Sequence, residues 1–179
     1  MTDYRRFYVP GATWFFTVNL ALRKDNRILL EHIDLLRKSF SEVKKRQPFT
    51  IDAIVIMPDH LHCLWTLLAN DLDYSTRWGQ IKGYFSRHIP SDENISISRR
   101  KRRERGLWQR RFWAHLITSQ EDFNAHTDYI HWNPVKHGRV NQVADWPYSS
   151  FHKFVRLGIY PVTWGHSGKF DLDAGESLE

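Results

Sequence analysis

Residues 49–68 read FTIDAIVIMPDHLHCLWTLL, and this stretch decides the fold. Residues 49–57 (FTIDAIVIM) are rich in β-branched side chains and read as a strand. Pro58 and Asp59 make a tight turn, and residues 60–68 (HLHCLWTLL) return as the second arm of a hairpin. A strand sends successive side chains to opposite faces. His60 and His62 therefore project side by side, while Leu61 and Cys63 point the other way. Cys63 is expected to be a buried thiol rather than a ligand.

The flanking segments alternate in type. Residues 14–22 (WFFTVNLAL) are β-rich and follow the Pro10-Gly11 turn signal. Residues 28–46 place Ile33, Leu36, Phe40 and Val43 at helical spacing, end in basic residues and are stopped by Pro48. Residues 74–88 carry Trp78, Ile81 and Phe85 at the same spacing, and residues 91–106 read as a polar, basic loop. Residues 112–118 (FWAHLIT) form a fourth strand. Residues 120–133 form a helix capped by Ser119, with Glu121 and Asp122 complementing its N-terminus. Pro134 is expected to end it. The order β-α-β-β-α-β-α predicts an α+β domain with helices on one face of an antiparallel sheet.

Of 179 residues, 41% are apolar and 26 are aromatic, enough for a sizeable core, which excludes a disordered chain. The length suits one domain. One cysteine excludes a disulfide framework and a Cys-rich zinc module, so a reducing, cytoplasmic setting is expected. The start, MTDYRRFYVPG, lacks the apolar run of a signal peptide, and no stretch approaches a membrane span. The net charge is +6, yet residues 99–111 (RRKRRERGLWQRR) carry +7, leaving −1 for the rest. All of the excess sits in one segment, the footprint expected for a polyanion rather than a merely solvated loop. Arg99, Arg100, Lys101, Arg102, Arg103, Arg110 and Arg111 are the candidates for phosphate contacts. Trp108, within the run, is the candidate for stacking on a base, ahead of Trp78 and Trp113.

Two further features carry chemistry. His60 and His62 can bind a divalent metal, although such a pair alone is weak evidence. Tyr129 and Asn133 lie one helical turn apart and share a face. Taken singly, they read as a packed tyrosine and a helix-end amide. Together with the histidines they make a coherent site. Two imidazole nitrogens and an amide oxygen would hold a cation, whose open position takes a phosphodiester oxygen. Tyr129 would attack phosphorus and form a covalent phosphotyrosine, so that joining as well as cutting becomes possible without ATP. His115 and His131 are expected to be structural, and Asp59 a turn residue that can also support His60.

At these residues the chain resembles a known family. MPDHLHCLW (57–65) is similar to the histidine–hydrophobic–histidine (HUH) motif of single-strand DNA transposases. DYIHWNPVKHGRV (128–140) resembles the catalytic-tyrosine helix of their REP-associated tyrosine transposase branch. Residues 4–20, 108–117 and 145–161 resemble the same branch, so the likeness runs in order from Tyr4 to Trp164. It implies a ferredoxin-like sheet and an Mg²⁺- or Mn²⁺-dependent endonuclease and strand transferase acting on single-stranded DNA with REP-like hairpins. It matches His60 and His62 to the metal histidines, Tyr129 to the nucleophile and Asn133 to a third, amide ligand. Residues 1–164 would form one catalytic domain with a C-terminal extension, and residues 165–179 a flexible tail. A monomer is favoured over a dimer, because that extension can cover a sheet edge. Two other readings stay open: a non-catalytic module that grips structured single-stranded nucleic acid, and a hydrolytic phosphoesterase using an activated water.

Overall fold

The computed structural model describes residues 9–90, 97, 101 and 105–165. Its strands are β1 (Thr13–Asn19), β2 (Thr50–Ile56), β3 (His60–Thr66) and β4 (Trp113–Leu116). Helices α1 (Ile28–Glu31) and α2 (Ile33–Arg46) follow β1, α3 (Tyr74–Arg87) follows β3, and α4 (Gln120–Lys136) follows β4. A single 3-10 turn (Val143–Asp145) and α5 (Phe151–Arg156) complete the described chain. The strands form one sheet in the order β2-β3-β1-β4, with every pairing antiparallel. The α+β class and the ferredoxin-like sheet are therefore as expected. The hairpin pairs Val55 with His62 and Ile56 with Leu61, and the Met57 N–H donates to the His60 carbonyl at 2.9 Å.

The helices do not all share one face. On one side, Phe16, Val18, Leu61, Cys63 and Trp65 lie under Leu36, Phe40 and Val43 of α2 and Trp78, Ile81 and Phe85 of α3. There the Trp65 and Trp78 rings stack with centroids 4.3 Å apart. On the other side, Phe15, Val55 and Leu64 pack against Tyr129 and Ile130 of α4 and against Trp146. Only α2 and α3 fit the expectation of one covered face. The central strands are buried along nearly their whole length, so both faces are covered. That two-sided burial also corrects two stacking candidates. Trp78 is fully buried, and Trp108 is 5% exposed with its ring edge-on to Phe85. Both are core residues and offer no face to a base.

Two helix boundaries differ from the sequence reading. The span 28–46 breaks at His32 into α1 and α2. Helix α4 runs through Pro134 to Lys136 rather than ending at Asn133. Proline's fixed φ is helical, and what it forfeits is one backbone bond. The true stop is Gly138 at φ 61°, where Gly138 N–H donates to Val135 O and Arg139 N–H to Pro134 O, both at 2.9 Å. This is a Schellman termination, which a glycine adopts without Cβ strain.

The C-terminal extension lies along the outer edge of β2. Ile56 N–H donates to Tyr148 O and Ser150 N–H to Ile54 O, both at 2.8 Å. The Trp146 indole N–H donates to Ile56 O at 3.0 Å. Among the described residues no helix is long and apolar enough to cross a membrane.

Candidate functional site

The register of the sheet builds the site first. His60 faces Asn19 and His62 faces Thr17 across the β1–β3 pairing, so all four side chains share the face covered by α4. Both imidazoles are buried, at 1% and 0% exposure. Their ring centroids lie 5.0 Å apart. His60 Nδ1 sits 2.8 Å from Asp59 Oδ1, and Arg23 Nε donates to the other Asp59 oxygen at 2.7 Å. Burial pushes the Asp59 carboxyl up, but the bonds from His60 and Arg23 outweigh it and hold the carboxyl well below its usual range. Asp59 is thus ionised and takes the Nδ1 proton of His60. Nε2 of that ring is then a lone-pair donor, and it is buried without a hydrogen-bond partner. Burial also pushes the His60 imidazole below its ordinary value, which keeps it neutral. His62 is oriented in the same way, its Nδ1 lying 2.8 Å from Thr17 Oγ1. Two imidazoles, each tethered through Nδ1, are the arrangement of metal ligands with outer partners.

Helix α4 supplies the rest. The Tyr129 ring meets His62 edge-on at 5.4 Å between centroids. Two turns further on, the His137 ring lies 5.1 Å from His60. Asn133 falls midway between these two contacts, on the same helix face, and is fully buried. The helix therefore holds the Asn133 amide opposite the two histidines, with Tyr129 at one end. His60, His62 and Tyr129 are thus brought together, with Asn133 on the same helix face, and their chemistry fits a hard or borderline divalent cation.

Several contributors, Thr17 and Arg23 among them, were not foreseen. Lys136 Nζ donates to the Tyr129 phenol oxygen at 2.7 Å and lies 4.6 Å from its ring centroid. Lys136 is seven residues after Tyr129, two helical turns, so the spacing was there to read. The expectation that Pro134 ended the helix concealed it. The same holds for His137, one turn after Asn133. Asn19, by contrast, reaches the site only through the strand register, and its buried Oδ1 lacks a hydrogen-bond partner.

The basic run divides. Lys101, Arg110 and Arg111 are exposed. Arg99, Arg100, Arg102 and Arg103 lie outside the described residues. Arg105 turns inward: its guanidinium donates to Ile89 O at 2.5 Å, to Pro90 O at 2.8 Å and to Ser86 O, closing the end of α3. His131 is buried against Phe154 and Tyr160, with Nε2 2.8 Å from Ser150 Oγ, so it ties α4 to the C-terminal extension. Cys63 is buried on the face away from the histidines. Among the described residues, His115, Asp122 and His126 form a group with metal-ligating spacing.

Comparison with known proteins adds three findings. The family described as "Transposase IS200 like" matches residues 17–133. A REP-associated tyrosine transposase of Escherichia coli (strain K12) is 44% identical over 178 residues, 99% of either chain. A solved REP-associated tyrosine transposase bound to a REP hairpin superposes with a TM-score of 0.85 at 43% identity, covering 100% of this chain and 99% of its own.

Proposed function

The chain belongs to the IS200-like transposases as a tyrosine transposase of the REP-associated kind, and we propose that it cuts and rejoins single-stranded DNA at REP-like hairpins through a covalent link to Tyr129. One observation carries this reading: Asn133 is bracketed on its helix by the Tyr129–His62 and His137–His60 contacts, so nucleophile and candidate ligands face one another. The solved relative with its bound REP hairpin supports the choice of DNA. His60 Nε2, His62 and the Asn133 amide would hold Mg²⁺ or Mn²⁺. Such a cation would polarise the scissile phosphate and offset the charge that develops in its transition state.

The protein's own groups do the rest. Asp59 and Thr17 fix the imidazole orientations. Lys136 donates to the phenol oxygen of Tyr129 and stabilises the negative charge that this oxygen bears as it attacks. The new bond joins that oxygen to the 5′-phosphate, and the bond to the 3′-oxygen breaks, leaving a 3′-hydroxyl. A second 3′-hydroxyl can later displace the tyrosine, so the phosphodiester is conserved throughout. Lys101, Arg110 and Arg111, with the basic residues at 99, 100, 102 and 103, supply sequence-independent phosphate contacts. A monomer is supported by the C-terminal extension that covers the β2 edge, where another chain would otherwise pair.

Tyr129→Phe tests the mechanism. The substitution removes one oxygen from a buried ring and leaves volume almost unchanged, so the fold and hairpin binding survive. Cleavage falls by orders of magnitude, and the covalent protein–DNA band on a denaturing gel disappears. His60→Ala and His62→Ala abolish cleavage with binding largely intact. Full cleavage by Tyr129→Phe, or a nucleotide mapped to another residue, refutes the reading and favours an activated-water hydrolase.

A further inference from the structure

We propose that His115, Asp122 and His126 form a second cation site, separate from the one beside Tyr129, which takes a zinc-class divalent ion and clamps β4 to the start of α4. The three residues come from two elements. His115 lies in β4, and Asp122 and His126 lie one turn apart in α4. Asp122 Oδ2 is 3.1 Å from His115 Nε2, and Asp122 Oδ1 is 2.8 Å from His126 Nδ1. All three ligand atoms fall within 4.8 Å of one another. A tetrahedral ion with ligands at about 2.0–2.2 Å holds them about 3.3 Å apart. Two of the three edges are thus already near that spacing. His115, with its side chain 38% exposed and its ring stacked on His126 at 4.6 Å, would have to turn to close the third.

The surroundings suit ligation. Thr118 N–H donates to Asp122 Oδ2 at 2.9 Å, the kind of outer bond that orients a ligating carboxylate. Burial raises the Asp122 carboxyl, but the bonds from Thr118 and His115 outweigh it and keep it ionised. Burial lowers the His126 imidazole and keeps it neutral. His126 Nδ1 also lies 2.9 Å from the Asp122 main-chain carbonyl, so an ion that takes this nitrogen's lone pair leaves the ring proton on Nε2. Two imidazoles and one carboxylate select Zn²⁺ or Co²⁺ over Mg²⁺, and the exposed side of His115 leaves a position for water. The Phe15 ring separates the two sites, with its centroid 4.6 Å from that of His126 and 5.6 Å from that of His62. One ion therefore cannot serve both. The clamp would hold the helix whose next turn carries Tyr129.

The test needs no DNA and is independent of the proposed nuclease chemistry. Zn²⁺ is titrated into the full chain in competition with a chromophoric chelator, and Co²⁺ binding is followed by its visible absorption. The His60→Ala/His62→Ala chain is expected to retain one equivalent of Zn²⁺ and a four-coordinate Co²⁺ band. Adding His115→Ala, at a half-buried position outside the main core, should weaken that equivalent by more than about tenfold, the least that loss of even an outer partner does. In the otherwise unaltered chain, His115→Ala alone should lower Zn²⁺ stoichiometry by one. No Zn²⁺ bound by the His60→Ala/His62→Ala chain, or an equivalent that survives His115→Ala in either background, overturns the proposal.

Discussion

Replacing Lys136 by Met isolates the charge beside the nucleophile. Met keeps most of the aliphatic stem, and Lys136 is exposed, so stability should change by no more than about 0.5 kcal/mol. What is lost is the 2.7 Å bond from the ammonium to the Tyr129 oxygen. Hydrogen bonds to charged groups contribute about 1.5–3 kcal/mol. Exposure places this one at the low end, because water screens the ammonium. A loss of about 1.5 kcal/mol that applies only in the transition state is about a tenfold fall in rate. The assay is single-turnover cleavage of a REP-type hairpin oligonucleotide with saturating Mn²⁺, alongside hairpin affinity by fluorescence anisotropy. The rate should fall about tenfold with affinity unchanged, and Lys136→Arg should recover part of it. A wild-type rate would refute the role. So would a loss that appears entirely in affinity, because that would make Lys136 a phosphate contact.

Three further outcomes are expected. Burial pushes the His131 imidazole down to about 3 from an ordinary 6.5, with the nearby His152 adding to the effect. The folded state therefore resists a proton that the unfolded chain accepts. Stability is full above pH 6.5 and falls as pH drops toward 3, by about 2 kcal/mol at pH 5 from this group alone. Thermal unfolding of His131→Gln should show a shallower decline between pH 7 and pH 4, and an unchanged slope would count against it. In the basic run, neutralising residues 99–103 should lower the slope of log affinity against log salt by about 0.7 per lost single-strand phosphate contact, without changing stability. Arg105→Ala should instead lower the melting temperature with little change in that slope, because its guanidinium binds the carbonyls that end α3.

The sequence alone determined whatever depends on local periodicity. The 49–68 hairpin, the side-by-side projection of His60 and His62, and the one-turn spacing of Tyr129 and Asn133 follow from the two-residue repeat of a strand and the 3.6-residue repeat of a helix. The helical patterns of α2 and α3 were legible for the same reason. The tertiary structure decided what depends on how distant segments meet. It sent α4 to the face opposite α2 and α3, and so brought Tyr129 to His62. It buried Trp108 and turned Arg105 inward, although both sit in a segment whose composition points outward. Asn19 and Thr17 join the histidines through a register fixed across more than forty residues of chain. Lys136 and His137 fall between the two cases. Their spacing from Tyr129 is local, but whether a helix continues past Pro134 is not. Proline's penalty there competes with burial of the surrounding turn and with a glycine stop four residues on, and only the packed state resolves that competition.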